Sequence, residues 1–244
     1  MMRAIGAVLL AGLLASCASG PGGNDPRERF YRSLAPRANP SAVIATELAF
    51  AREAREEGQW TAFREFAAED AVMFVPEAVK ARDWLANRAD PPQPVQWQPH
   101  QVWSSCDGSL SVTKGAWQQP DGTVGYFTTI WQRESSRRRE EYRWVLDQGD
   151  ALAEPLPEPD IIRTKVADCA TGGLPAAFDS AQADWEANAD AAGAVAGYGE
   201  SRDGTLVYRY QVAPGGARVI SVFLRNGDTM EEVLRSEVAA PAGG

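Results

Sequence analysis

Hydrophobic and polar positions along the chain follow a helical period first and a strand period afterwards. In "NPSAVIATELAFAREAREEGQW" the apolar residues Ile44, Leu48 and Ala51 fall on one face, with charged residues opposite. Asn39 or Ser41 can cap this helix, Pro40 stands where its missing N–H is harmless, and Gly58 ends it. Trp60, Phe63 and Ala67 form a second short apolar stripe. "DAVMFVP" reads as a strand stopped by Pro76, and "EAVKARDWLANR" as a third short helix before Pro91-Pro92. The spacing then changes, and Val95–Ser105, Leu110–Gln119, Gly125–Arg133 and Tyr142–Asp147 are four strand candidates. Asp107-Gly108, Asp121-Gly122 and the arginine-rich Arg137-Arg138-Arg139 join them as an antiparallel meander.

Beyond Asp147 the composition shifts to "ALAEPLPEPD", a Pro/Glu-rich stretch that should run extended. "ADWEANADAAGAVAG" reads as a short helix or as partly disordered. "TLVYRYQVA", "ARVISVFLR" and "TMEEVLRSEV" then give a small three-stranded extension. No internal repeat is evident. The pattern predicts an α+β protein.

The N-terminus changes this picture. Arg3 precedes the apolar run "AIGAVLLAGLL", too short to remain as a membrane-spanning helix. It leads into Leu14-Ala15-Ser16-Cys17, which resembles the bacterial lipoprotein box. That resemblance implies cleavage before Cys17, lipid on its thiol, and a stable anchor of two or more acyl chains. A plain secretory leader is the other reading. Ala18 follows the cysteine in place of the Asp that resembles an inner-membrane retention signal. The expected location is therefore the cell envelope, facing the periplasm, with the outer membrane favoured. The chain divides into a signal peptide (1–16), a lipidated cysteine with a flexible tether (17–38), a helix-and-meander domain (39–150), a connection (151–182) and a C-terminal β extension (183–244).

Formal charge is −9, and −10 without the leader's single arginine, which argues against a nucleic-acid partner. The arginine triplet, flanked by Glu134, Glu140 and Glu141, reads as a solvated hairpin tip with its own counter-charges. Export permits a disulfide between the two remaining cysteines, Cys106 and Cys169. Two buried free thiols are the alternative.

The order helix, helix, strand, helix, meander resembles the nuclear-transport-factor-2-like superfamily, which includes ketosteroid isomerases and SnoaL-like cyclases. The likeness rests on "GQWTAFREFAAEDAVMFVP", "VTKGAWQQPDGTVGYFTTIWQRE" and "YRWVLDQGD". It implies a cone, in which three short helices close against a curved antiparallel sheet and leave a cavity. In the isomerase branch the proton-abstracting Asp and the enolate-stabilising Tyr would fall on Val75 and Ala51 here, and neither side chain can do that work. That chemistry is not carried over. The same alignment, with strand alternation, turns Met73, Val75, Phe127, Thr129 and Trp131 inward, with Trp117 as a further wall.

His100 is the single histidine, so no histidine-rich metal site is possible, and no metal or other cofactor is expected. It is a candidate base, with a partly exposed strand position as its ordinary role. Asp147 is the other candidate, and a turn-stabilising carboxylate is its ordinary role. Two functions follow. One is a non-catalytic envelope lipoprotein binding a small apolar ligand or a partner protein, the other an isomerase, cyclase or hydrolase using Asp147 or His100. A homodimer covering the open sheet face is a third possibility.

Overall fold

The computed structural model describes residues 37–135, 140–169 and 174–241. Cys17, the leader and the arginine triplet lie outside the described residues. Helix α1 (Pro40–Glu56) starts as its sequence suggests, with Asn39 Oδ1 accepting the Ala42 N–H at 3.2 Å and Pro40 in the first turn. Its buried face is Val43, Glu47, Phe50, Ala51 and Ala54, one position off the Ile44–Leu48 stripe, and Leu48 is 47% exposed. Helix α2 (Gln59–Phe66) begins against a distant partner. Asp90 accepts from the Trp60 and Thr61 N–H groups and from the Thr61 hydroxyl, which satisfies donors that Gly58 cannot. The third helical stretch is shorter than its sequence suggests. Residues 78–80 form strand β2 (Ala78–Lys80), and only Ala81–Leu85 is helix, α3.

The remaining strands are β1 (Ala67–Phe74), β3 (Gln96–Ser104), β4 (Leu110–Gln118), β5 (Val124–Ser135), β6 (Glu140–Leu152) and β7 (Arg163–Val166). With β2 they make a large curved sheet of order β2-β1-β6-β5-β4-β3-β7. The sheet is mixed, not antiparallel throughout. The meander β3–β6 has the expected hairpins, but β1 runs parallel to β6 and β7 parallel to β3. The parallel pair at β1 follows from the helical crossover, because α3 and the segment to β3 return the chain to the far edge. β7 arises inside the Pro/Glu-rich connection: the segment docks on an open edge whose N–H and C=O groups need partners.

Helix α4 (Ala176–Ala191) leads to a second sheet of β8 (Val195–Glu200), β9 (Leu206–Val212), β10 (Arg218–Asn226) and β11 (Thr229–Val238). It has four antiparallel strands, not three. β8, "VAGYGE", carries two glycines and so lacks the β-branched density that marks a strand. The glycines have a packing reason. A Cβ on Gly197 or Gly199 would sit about 2.5 Å from the ring atoms of Tyr210 or Tyr208, so the tyrosines occupy the missing side-chain space.

Each face of the large sheet has its own core. On one, α1–α3 pack over Ala71, Met73, Val102, Trp131 and Trp144. On the other, Trp103, Val112, Ile130 and Leu146 pack against Leu206, Ile220, Val222 and Leu224 of the second sheet. The second sheet therefore shares a core with the meander. Two similar turns join the sheets, "SCDGS" at 105–109 and "SRDGT" at 201–205. In each the serine hydroxyl donates to the aspartate, at 2.8 and 2.7 Å, and the Asp107 N–H donates across to Asp203 Oδ2. Beside them Cys106 and Cys169 form a disulfide with Cα atoms 5.1 Å apart.

Candidate active cleft

Side chains of one parity on β4, β5 and β6 face the helices. Three of these positions, Gly115, Gly125 and Gly149, are glycine; aromatic rings enter the side-chain space at Gly115 and Gly125, and backbone carbonyls of Gln98 and Tyr126 crowd it at Gly115 and Gly149. A Cβ on Gly115 would meet Phe127 at 2.6 Å, and one on Gly125 would meet the Trp117 indole at 2.2 Å. Trp117 Nε1 donates to the Tyr126 carbonyl at 2.8 Å, holding the ring against the sheet. Flat rings on a bare sheet leave open volume beneath the helices. The result is a cleft of about 470 Å³.

Met73, Val75, Trp117, Phe127 and Thr129 all line this cleft, together with Asp147. One expectation for the wall fails. Trp131 does not line it: the side chain is completely buried below, edge-on to Phe50 and hydrogen-bonded inward. His100, the other candidate base, is not among the residues lining the cleft and holds the partly exposed strand position that was its ordinary role. It falls at the irregularity between Pro99 and Gln101 where β3 slips against β4, half-buried, with its proton affinity lowered by burial and partly restored by Glu158. Of the isomerase positions, Ala51 is core and Val75 is at the rim.

Strand register explains the polar centre. Met73 stands beside Asp147, Asp147 opposite Thr129, and Thr129 opposite Thr113, in one row across β1, β6, β5 and β4. Thr129 Oγ1 donates to Asp147 Oδ2 at 2.7 Å. Beneath the row sits Glu47 of α1, which the sequence pattern did not single out. Its side chain is fully buried and accepts from Thr113 Oγ1 at 2.5 Å, Trp97 Nε1 at 2.8 Å and Trp131 Nε1 at 2.9 Å. Burial raises the Glu47 carboxyl above its ordinary range, against those three donors. Burial likewise pushes Asp147 up to about 7, and the nearby Glu47 carboxyl adds to the shift while Thr129 opposes it. The signal for Glu47 was faint but present: a glutamate sits one helical turn from Val43 and from Phe50 or Ala51, on a face otherwise apolar.

The sign of the pH effect follows. The folded state holds the Asp147 proton to about pH 7, whereas the unfolded chain releases it near 3.8. Between those values folding takes up a proton, so this group's contribution to stability falls as pH rises and levels off above 7. Asp147→Asn is therefore expected to gain stability over the wild type in urea melts at pH 8 and to match it near pH 4. An advantage independent of pH would contradict this assignment.

No protein-family model matches the chain, and no curated protein matches its sequence. Among the described residues, no helix is long and apolar enough to cross a membrane.

Proposed function

We propose that this chain is an envelope lipoprotein, anchored through Cys17, whose nuclear-transport-factor-2-like domain binds a small and largely apolar molecule in the cleft. The observation that carries the reading is a concave site of about 470 Å³ with aromatic walls and the hydrogen-bonded pair Thr129 and Asp147 among its polar lining. The order of α1, α2, β1, α3 and the meander supports the family resemblance, and the lipoprotein box supports the anchor. The tether would hold the domain in the periplasm, with the outer membrane favoured.

Native mass spectrometry of the protein purified from its own host tests the proposal. A retained small molecule is expected, and it should be lost in Ala151→Trp. Ala151 is exposed at the end of β6 and lines the cleft, so an indole there fills the site with little disturbance of the core. Retention of the same molecule by Ala151→Trp would place binding elsewhere.

Proton transfer is the second reading, favoured by the position of Asp147. A carboxyl poised near neutrality in an apolar site suits a general base or acid. Its test is exchange of the α-hydrogens of a bound ketone for solvent deuterium, expected for the wild type and absent in Asp147→Asn.

A further inference from the structure

The charge of the cleft points to a ligand class. Asp147 and Asp150 are the charged residues lining it, and no lysine, arginine or histidine is among its described lining residues. From the elements packed around Asp147, α1 contributes Glu47, another acid, and β6 contributes Asp150 at the rim. Arg218 of β10 offsets the Asp150 charge and donates to the Gly149 carbonyl at 2.7 Å, so the acid character of the cleft rests on Asp147. The cleft residues of α2, β1, β3, β4 and β5 are uncharged. Thr129 gives Asp147 one hydrogen bond, although an ionised carboxylate can accept about four. An anionic ligand would bring a like charge to this carboxylate, and the nearby Arg218 is already engaged with Asp150 and the Gly149 carbonyl. A neutral hydrocarbon would leave it unpaired.

The walls favour the opposite charge. Trp60, Trp97 and Trp117 contribute indoles, and Phe63 and Phe127 add further rings. The π-face of an aromatic ring attracts a cation, most strongly for tryptophan, and the attraction grows when the site is desolvated. A carboxylate among aromatic rings supplies both terms that an organic ammonium loses on leaving water. We propose that the cleft selects hydrophobic organic cations: small amines or quaternary ammonium compounds bearing an aromatic or branched apolar group. This proposal rests on the ligand-binding reading of the same cleft and names its ligand class. The cationic head sits at Asp147 and the apolar body lies along Trp117 and Phe127.

Calorimetric titration of the full chain in phosphatidylcholine nanodiscs, with empty nanodiscs as the blank, tests this. Three probes share a benzyl group: benzyltrimethylammonium, its uncharged isostere neopentylbenzene, and phenylacetate. At pH 8 the cation is expected to bind at least about tenfold more tightly than the isostere, with no measurable binding of phenylacetate. The preference should vanish in Asp147→Asn, and it should shrink at pH 5.5, where Asp147 holds its proton. Gln119→Lys provides a variant at an exposed rim position, remote from the packed core, and should weaken the cation alone. Equal or tighter binding of neopentylbenzene would overturn the charge preference while leaving a working apolar cleft. Survival of the preference in Asp147→Asn would also overturn it. Failure of every probe to bind would sink this inference together with the ligand-binding reading.

Discussion

Replacing Glu47 with Ala is expected to destabilise the fold by about 3 kcal/mol, since two indole N–H groups and a hydroxyl lose their acceptor and a cavity opens. The opposing effect is relief of a desolvated carboxyl, which burial already disfavours in its ionised form. Three donors outweigh it, because Trp97, Trp131 and Thr113 converge on one group at 2.5 to 2.9 Å. Urea melts give the magnitude. The compensating experiment is the combination of Glu47→Leu, Trp97→Phe, Trp131→Phe and Thr113→Val, which removes acceptor and donors together and should recover most of the loss. If Glu47→Ala melts like the wild type, the three contacts contribute nothing net. Glu47→Gln gives an intermediate result, since its amide N–H₂, itself a donor, faces a donor where a carboxylate oxygen accepted one. It should also move the Asp147 titration downward, which carboxyl-carbon NMR can follow, because Glu47 raises the Asp147 pKa.

Loss of the disulfide is expected to have a comparable effect. Cys106 and Cys169 are 63 positions apart, and in the chain-entropy model a loop of that size contributes about 4 kcal/mol. For a domain near 200 residues this corresponds to a fall in Tm of roughly 8–16 °C. The bridge lies where several segments meet. The Cys106 N–H donates to Thr205 Oγ1 at 2.9 Å, and Asp168 accepts from the Gly227 N–H at 2.8 Å and donates its own N–H to the Arg225 carbonyl. Cys106→Ser with Cys169→Ser should therefore loosen the turns that join the two sheets before it affects the cleft. Thermal melts with and without reductant, and hydrogen exchange at Thr205 and Gly227, would report this. Unchanged melting in the double variant would show that the hydrogen bonds alone hold the junction.

Several features were legible in the sequence because their causes are local. The cap at Asn39, the Asp-Gly turns and the alternation along β3–β6 each depend on a few neighbouring residues, and all appear where the pattern puts them. Alternation also predicted that Met73, Phe127, Thr129 and Trp131 share a face. Depth along that face was not predictable. Trp131 and Thr129 are two residues apart on β5, yet one lies at the wall and the other in the core, because α1 covers only part of the strand. β8 was missed because its glycines read as breakers, while their role depends on two tyrosines of β9.

Sequence alone determined the α+β pattern, the meander and the leader's resemblance to a lipoprotein signal, since propensity, period and turn chemistry act over a few residues. Only the tertiary structure decided the pairing of β1 with β6 and of β3 with β7, and the covering of the meander by a four-stranded sheet. It also brought Glu47 and Asp147, a hundred positions apart, close enough to couple electrically. Such coupling depends on distance and on the exclusion of water, and both are properties of the packed chain.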